Sequence, residues 1–157
     1  MINNSNFVNA GVSIIVLVIV YFLEYGLKIQ PCEMCIIQRY PYFLLIALSA
    51  ISVIFNTNQT FVFILKFLCL VTVLSGFIYV LLHVGIERGL IEGFTECTSS
   101  LSSMAGKSDL LQSLEQAPLT RCDEPVILLN FISVAESNLL MMGLLLIYNI
   151  FVSIKKK

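Results

Sequence analysis

Cys32 and Cys35 stand two residues apart in the stretch IQPCEMCIIQRYPY, and Arg39 follows four positions after the second cysteine. In a Cys-x-x-Cys pair the two sulfurs can meet, and a neighbouring cation or a helix N-terminus lowers the thiolate pKa. Arg39 is the cation close behind Cys35. A helix beginning near Cys35 would add its N-terminal dipole to that effect. A stabilised thiolate favours the reduced form, which makes the disulfide the stronger oxidant. About 30 mV of potential corresponds to about 1.4 kcal/mol for a two-electron couple. Three more cysteines follow: Cys69 inside an apolar run, and Cys97 and Cys122 in a polar stretch. The single histidine, His83, closes another apolar run.

Each of these residues has a plainer reading. Cys-x-x-Cys with two further cysteines could bind zinc. The spacing disfavours it, because no second Cys-x-x-Cys and no His-x-x-His follows. Cys97 and Cys122 could simply staple the polar stretch. Arg39 could anchor a helix at a membrane boundary, with its stem in the apolar phase and its head in water. His83 could be structural, and Cys69 reads as a packing residue. Glu136 and Asn138 could do no more than start the last helix.

The elements that must position these groups are set by composition. Hydrophobic residues make up 58% of the 157, and charged residues only 12%. An ordinary soluble domain is roughly 45–50% apolar and about 25% charged. The net charge of −1 suggests neither a nucleic acid nor an anionic surface as partner. Four apolar runs are expected to cross the lipid bilayer as helices, at about 7–23, 38–55, 61–83 and 137–154. A helix needs about 20 residues to cross the hydrocarbon. The second run is marginal by that measure. Two-residue alternation is missing, so barrel strands are not expected. The first run has no basic segment before it and no small-residue cleavage site after it, so it reads as a retained span rather than a signal peptide. The fold class is thus an all-α membrane protein: one domain, a four-helix transmembrane bundle.

Four crossings put both termini on one side and the links at about 24–37 and 84–136 on the other. Lys155–Lys157 directly after the last run places the termini in the cytoplasm. Lys28, Arg39, Arg88, Lys107 and Arg121 then lie outside, but long loops translocate largely regardless of charge. Cys32, Cys35, Cys97 and Cys122 share that outer side. Disulfides persist in oxidising spaces such as the periplasm. The second link far exceeds the usual loop length of about 12–15 residues, which marks it as functional or disordered. Within it, Asp109 could cap a short helix with Gln112 three residues on, and Leu110, Leu111 and Leu114 would share one face. A short interfacial helix on a long periplasmic loop is the expectation.

The chain resembles the DsbB family of disulfide bond formation proteins, quinone-dependent thiol oxidases of the bacterial inner membrane. The residues that carry the resemblance are PCEMCIIQRYPY (Pro31–Tyr42), LLHVGIERG (Leu81–Gly89), FTECTSS (Phe94–Ser100) and APLTRCDEP (Ala117–Pro125). The order of spans, links and cysteines also fits over nearly the whole chain. One departure is the absence of Trp, which members often carry where Tyr40 stands and in the stretch reading ISVAESN. The resemblance implies that Cys32 and Cys35 are the pair beside a membrane quinone, ubiquinone or menaquinone, with Cys35 the reacting thiolate. It implies that Arg39 assists there and that His83 lies near the quinone. Cys97 and Cys122 would form a shuttle disulfide, attacked at Cys97 by a periplasmic DsbA-like protein of thioredoxin fold. Two other classes stand beside this one. A vitamin K epoxide reductase-like enzyme would carry its Cys-x-x-Cys late in the chain. A metal-binding membrane protein would need polar ligands within its spans.

Overall fold

The computed structural model describes residues 3–55, 59–91 and 132–155. Within them the chain forms α1 (Asn3–Tyr21), a π-helical turn (Phe22–Gly26), the short α2 (Glu33–Ile37), α3 (Arg39–Ile54), α4 (Gln59–Glu87) and α5 (Val134–Lys155). Four helical stretches are long and apolar enough to cross a membrane: Ser5–Gly26, Glu33–Ile54, Gln59–Glu87 and Val134–Lys155. The architecture is the expected four-helix membrane bundle. The suggested surface helix around Asp109 to Leu114 lies outside the described residues.

The bundle is apolar outside as well as inside. Ile15 and Val18 of α1, Phe43 and Leu44 of α3, Phe63 and Phe67 of α4, and Leu144 and Phe151 of α5 all face outward. Polar side chains turn the other way. Asn6, Asn9 and Ser13 of α1, Ser49 and Ser52 of α3, Thr72 of α4 and Asn149 of α5 are buried. Water would reverse this arrangement. Hydrocarbon enforces it, because a polar group facing lipid has nothing to bond. At the end of the bundle near the termini, Asn9 and Asn149 exchange two hydrogen bonds of 3.0 Å, joining α1 to α5. Asn6 donates to Ser52 Oγ at 2.7 Å, joining α1 to α3. Such interhelical bonds contribute about 0.6 kcal/mol each on average, and up to about 1.7.

Neighbouring helices pack α1 on α3, α3 on α4 and α4 on α5. Leu45, Val73, Val80 and Met142 fill the centre and are wholly buried. Close approach is made at Gly76, where an added Cβ would sit 3.0 Å from Met142 Cε and 3.2 Å from Pro41 Cβ. A small residue there lets α3, α4 and α5 meet.

Two helix ends matter for the site. Pro41 has no N–H for the carbonyl of Ile37, and its ring crowds that carbonyl. The helical run therefore breaks at Gln38, between α2 and α3. Ser133 and Glu136 form a capping box at the start of α5: Ser133 Oγ accepts from the Glu136 N–H at 3.1 Å, and Glu136 Oε2 accepts from the Ser133 N–H at 3.2 Å. The Ser133 hydroxyl donates on to Glu87 at 2.8 Å, and Arg88 pairs with Glu136, so the last turn of α4 holds the first turn of α5.

Candidate functional site

Cys32 is the N-cap of α2, with extended backbone (φ −71°, ψ 166°), and Pro31 before it cannot extend the helix backwards. Its sulfur accepts the Cys35 backbone N–H at 3.4 Å, the capping role a Ser or Asp usually fills. This turn brings the two thiols together: Cys32 donates to Cys35 Sγ at 3.0 Å, and neither is in a disulfide. Cys32 is buried and Cys35 half-buried. The hydrogen bond to Cys35, then burial, pushes the Cys32 thiol up to about 12, while His83 pulls the other way. His83 Nε2 lies 3.6 Å from Cys32 Sγ.

Behind the cysteines runs a chain of polar side chains from three helices. His83 Nδ1 meets Gln38 Nε2 at 2.7 Å. Gln38 Oε1 accepts from Asn138 Nδ2 at 2.8 Å. Asn138 Oδ1 in turn accepts the hydroxyl of Tyr42. Gln38, His83 and Tyr42 are each at least nine-tenths buried, so these bonds have little competition from water. Gln38, at the break between α2 and α3, reaches α4 and α5 at once.

Arg39 is also buried, and it is paired. Its Nη1 lies 2.6 Å from Glu24 Oε2, and its guanidinium carbon stands 5.0 Å above the Tyr21 ring. The π-helical turn presents Glu24 here; its extra residue per turn closes with Leu27 N–H donating to Phe22 O at 3.2 Å. Such turns inside α-helices often mark functional positions. Arg39 Nε is buried and has no partner among the described residues.

Cys35, Gln38, Arg39, Tyr42 and Asn138 line one cavity of about 170 Å³ between α1, α3 and α5. Its remaining wall is largely apolar, from Val16, Leu17 and Val20 of α1, Leu23 of the π-helical turn and Met141 of α5. An apolar cleft with a few convergent polar groups is the usual form of a small-molecule site. Arg39 brings the positive charge to that wall. The geometry suits a flat, lipid-soluble molecule with an acceptor oxygen. Cys32, Cys35 and His83 also offer three ligand atoms within 4.8 Å of one another, a soft set of the kind that zinc or copper takes.

The structure thus brings Cys32, Cys35, Arg39 and His83 together at one end of the bundle. Cys35 and Arg39 line the cavity, while His83 lies against Cys32 and reaches the cavity wall through Gln38. Cys69 sits apart, buried in the central core. Cys97 and Cys122 lie outside the described residues. Glu24, Gln38, Tyr42 and Asn138 emerge only here. A signal for Asn138 existed, since a polar residue inside an apolar span is functional by default. The ISVAESN stretch contributes Val134, Ser137 and Asn138 to the cavity, whereas Tyr40 points outward, 66% exposed.

Comparison with known proteins agrees with this arrangement. The family model for disulfide bond formation protein DsbB matches residues 3–152. The uncharacterised protein RP370 of Rickettsia prowazekii (strain Madrid E) is 34% identical over 145 residues, covering 91% of this chain and 83% of that one. No solved structure matches. With the family model covering nearly the whole chain and the paired thiols set at the end of a four-helix bundle, the chain belongs to the DsbB family: it is a multi-pass membrane thiol oxidoreductase of disulfide bond formation.

Proposed function

We propose that this protein reoxidises a periplasmic thioredoxin-like dithiol protein of the DsbA kind and passes the electrons to a membrane quinone, ubiquinone or menaquinone. The observation that carries the reading is the placing of Cys35 and Arg39 on the wall of an apolar cavity between the membrane helices. A bound quinone would supply a two-electron, two-proton acceptor. The chain's own residues do the rest. A thiolate of the partner attacks Cys97, breaks the Cys97–Cys122 disulfide and releases the Cys122 thiolate. The partner's second thiol then displaces Cys97 and leaves the partner oxidised. Cys122 attacks Cys32 in the Cys32–Cys35 disulfide, and Cys97 closes the shuttle pair again. Cys35 is released as a thiolate facing the cavity. Arg39 favours negative charge there, on the sulfur first and on an acceptor oxygen next. The two electrons and two protons that leave the partner's dithiol leave the protein at the cavity.

The protein lies in the inner membrane of a bacterium with both termini cytoplasmic on this reading. The apolar outer face of the bundle and Lys155–Lys157 support it. The test is quinone reduction by the purified protein with a reduced thioredoxin-like dithiol as donor. Turnover that needs both substrates is the expected result; oxidation of the dithiol at the same rate without quinone would overturn the assignment. A second reading has one observation of its own, the three ligand atoms of Cys32, Cys35 and His83. It predicts stoichiometric metal in the purified protein, and metal analysis decides it.

A further inference from the structure

We propose that Tyr42, Asn138 and Gln38 are positioning residues whose hydrogen-bond relay reverses direction when a quinone fills the cavity, turning His83 into the proton acceptor for Cys32. The inference rests on the quinone reading above and adds to it a reason for the chain of buried polar groups.

The direction of the relay follows from what each atom can do. An amide nitrogen only donates and an amide oxygen only accepts, whereas a phenol oxygen does both. In the structure the Tyr42 hydroxyl donates to Asn138 Oδ1. That leaves Asn138 Nδ2 to donate to Gln38 Oε1, and Gln38 Nε2 to face His83 Nδ1 at 2.7 Å. Nδ1 must then accept. A neutral imidazole carries one ring proton, so the proton sits on Nε2. Nε2 faces Cys32 Sγ at 3.6 Å and donates to it. In this state His83 cannot take the Cys32 proton.

The same side chains have one other self-consistent arrangement. Both amides turn over, the Tyr42 oxygen accepts from Asn138, and Gln38 Oε1 accepts from His83 Nδ1–H. The lone pair of Nε2 then points at Cys32 Sγ. The end of the relay decides between the two, and that end is in the cavity wall, where Tyr42 lies. A quinone carbonyl can only accept. When the Tyr42 hydroxyl turns to donate to it, Asn138 loses its donor and the second arrangement follows. The Cys32 S–H bond can then break as an Nε2–H bond forms, giving an imidazolium beside a thiolate with no electron moved.

This timing suits the reaction. Cys32 and Cys35 re-form their disulfide only after Cys32 loses its proton. Coupling that loss to an occupied cavity keeps the thiol protonated when no acceptor is present. Burial of Gln38, Tyr42 and His83 keeps water from replacing a member of the chain.

The chain contains one histidine, so nitrogen NMR of the full-length protein labelled with 15N-histidine reads the ring without assignment. Cys35→Ala holds the Cys32 thiol without turnover. A short-chain ubiquinone is the probe, and its equilibrium binding is measured on the same samples. Without quinone, Nε2 should carry the proton and Nδ1 should be bare. With quinone, Nδ1 should become protonated. Adding Tyr42→Phe or Asn138→Leu cuts the relay at two different points. Either should abolish the response when quinone saturates that variant's own measured binding. The proposal is wrong if the ring is unchanged in the parent at saturating quinone, or if it responds equally in both relay variants. Failure of quinone to bind the parent would overturn the functional reading, and this one with it.

Discussion

Arg39→Ala separates two jobs that one guanidinium could do. The first is to pair with Glu24, whose Oε2 lies 2.6 Å from Nη1. The second is to act on whatever occupies the cavity that both Arg39 and Cys35 line. Removing Arg39 takes away a charge-assisted hydrogen bond, a loss of about 1.5–3 kcal/mol. At about 1.4 kcal/mol per factor of ten, that is roughly 10- to 150-fold. It also strands Glu24, whose side chain is only 23% exposed. Unit charges about 8 Å apart repel by about 2 kcal/mol at an effective dielectric of about 20, which sets the scale for a bare carboxylate opposing a thiolate nearby. The single variant should therefore lose about 300- to 4,000-fold in kcat/KM for quinone. Adding Glu24→Gln removes the stranded charge and should return about 30-fold, leaving the direct loss in place. Arg39→Lys keeps the charge but not the planar fork, and should fall between wild type and Arg39→Ala. The assay is steady-state quinone reduction per folded molecule, with folding checked by thermal unfolding in detergent. Full recovery in the double variant would mean that Arg39 serves only to neutralise Glu24. Normal quinone KM and kcat in well-folded Arg39→Ala would reject both jobs and leave an interfacial anchor.

Other outcomes follow from the same geometry. Alanine at Cys32, Cys35, Cys97 or Cys122 should each stop turnover with quinone, whereas Cys69→Ala should leave it unchanged and cost about 1 kcal/mol of stability for the small void in the core; full activity without Cys122 would break the two-pair scheme. Asn9→Leu and Asn149→Leu should each lower the unfolding temperature, and the double variant should lose less than their sum because it strands neither amide; strict additivity would mean that the pair is not coupled. In intact cells treated with reductant, a membrane-impermeant thiol reagent should label Cys97 or Cys122; protection of both until the membrane is opened would reverse the orientation.

The sequence by itself determined that four helices would form and that lipid would surround them. That information is local: each apolar run is long enough to cross, and hydrocarbon leaves the backbone no choice but to bond within its own helix. The Cys-x-x-Cys at the edge of a span, with Arg39 behind it, was legible for the same reason, since neighbours in sequence are neighbours on one turn. Expectation and structure part where a polar residue finds its partner across the bundle. Asn9 and Ser13 read as interruptions of the first run; the fold makes Asn9 half of a pair with Asn149. Glu136 and Asn138 read as residues that start a helix. Glu136 is half of a capping box and also binds Arg88, while Asn138 joins Tyr42 to Gln38. The pairing of Arg39 with Glu24 depends on one π-helical turn that no apolar pattern announces. Hydropathy is a property of a residue and its neighbours in the chain, and it sets which segments enter the membrane. Hydrogen-bond satisfaction inside the bundle is a property of pairs, and only the packing of α1, α3, α4 and α5 decided which polar atoms would meet, and so where the site would be.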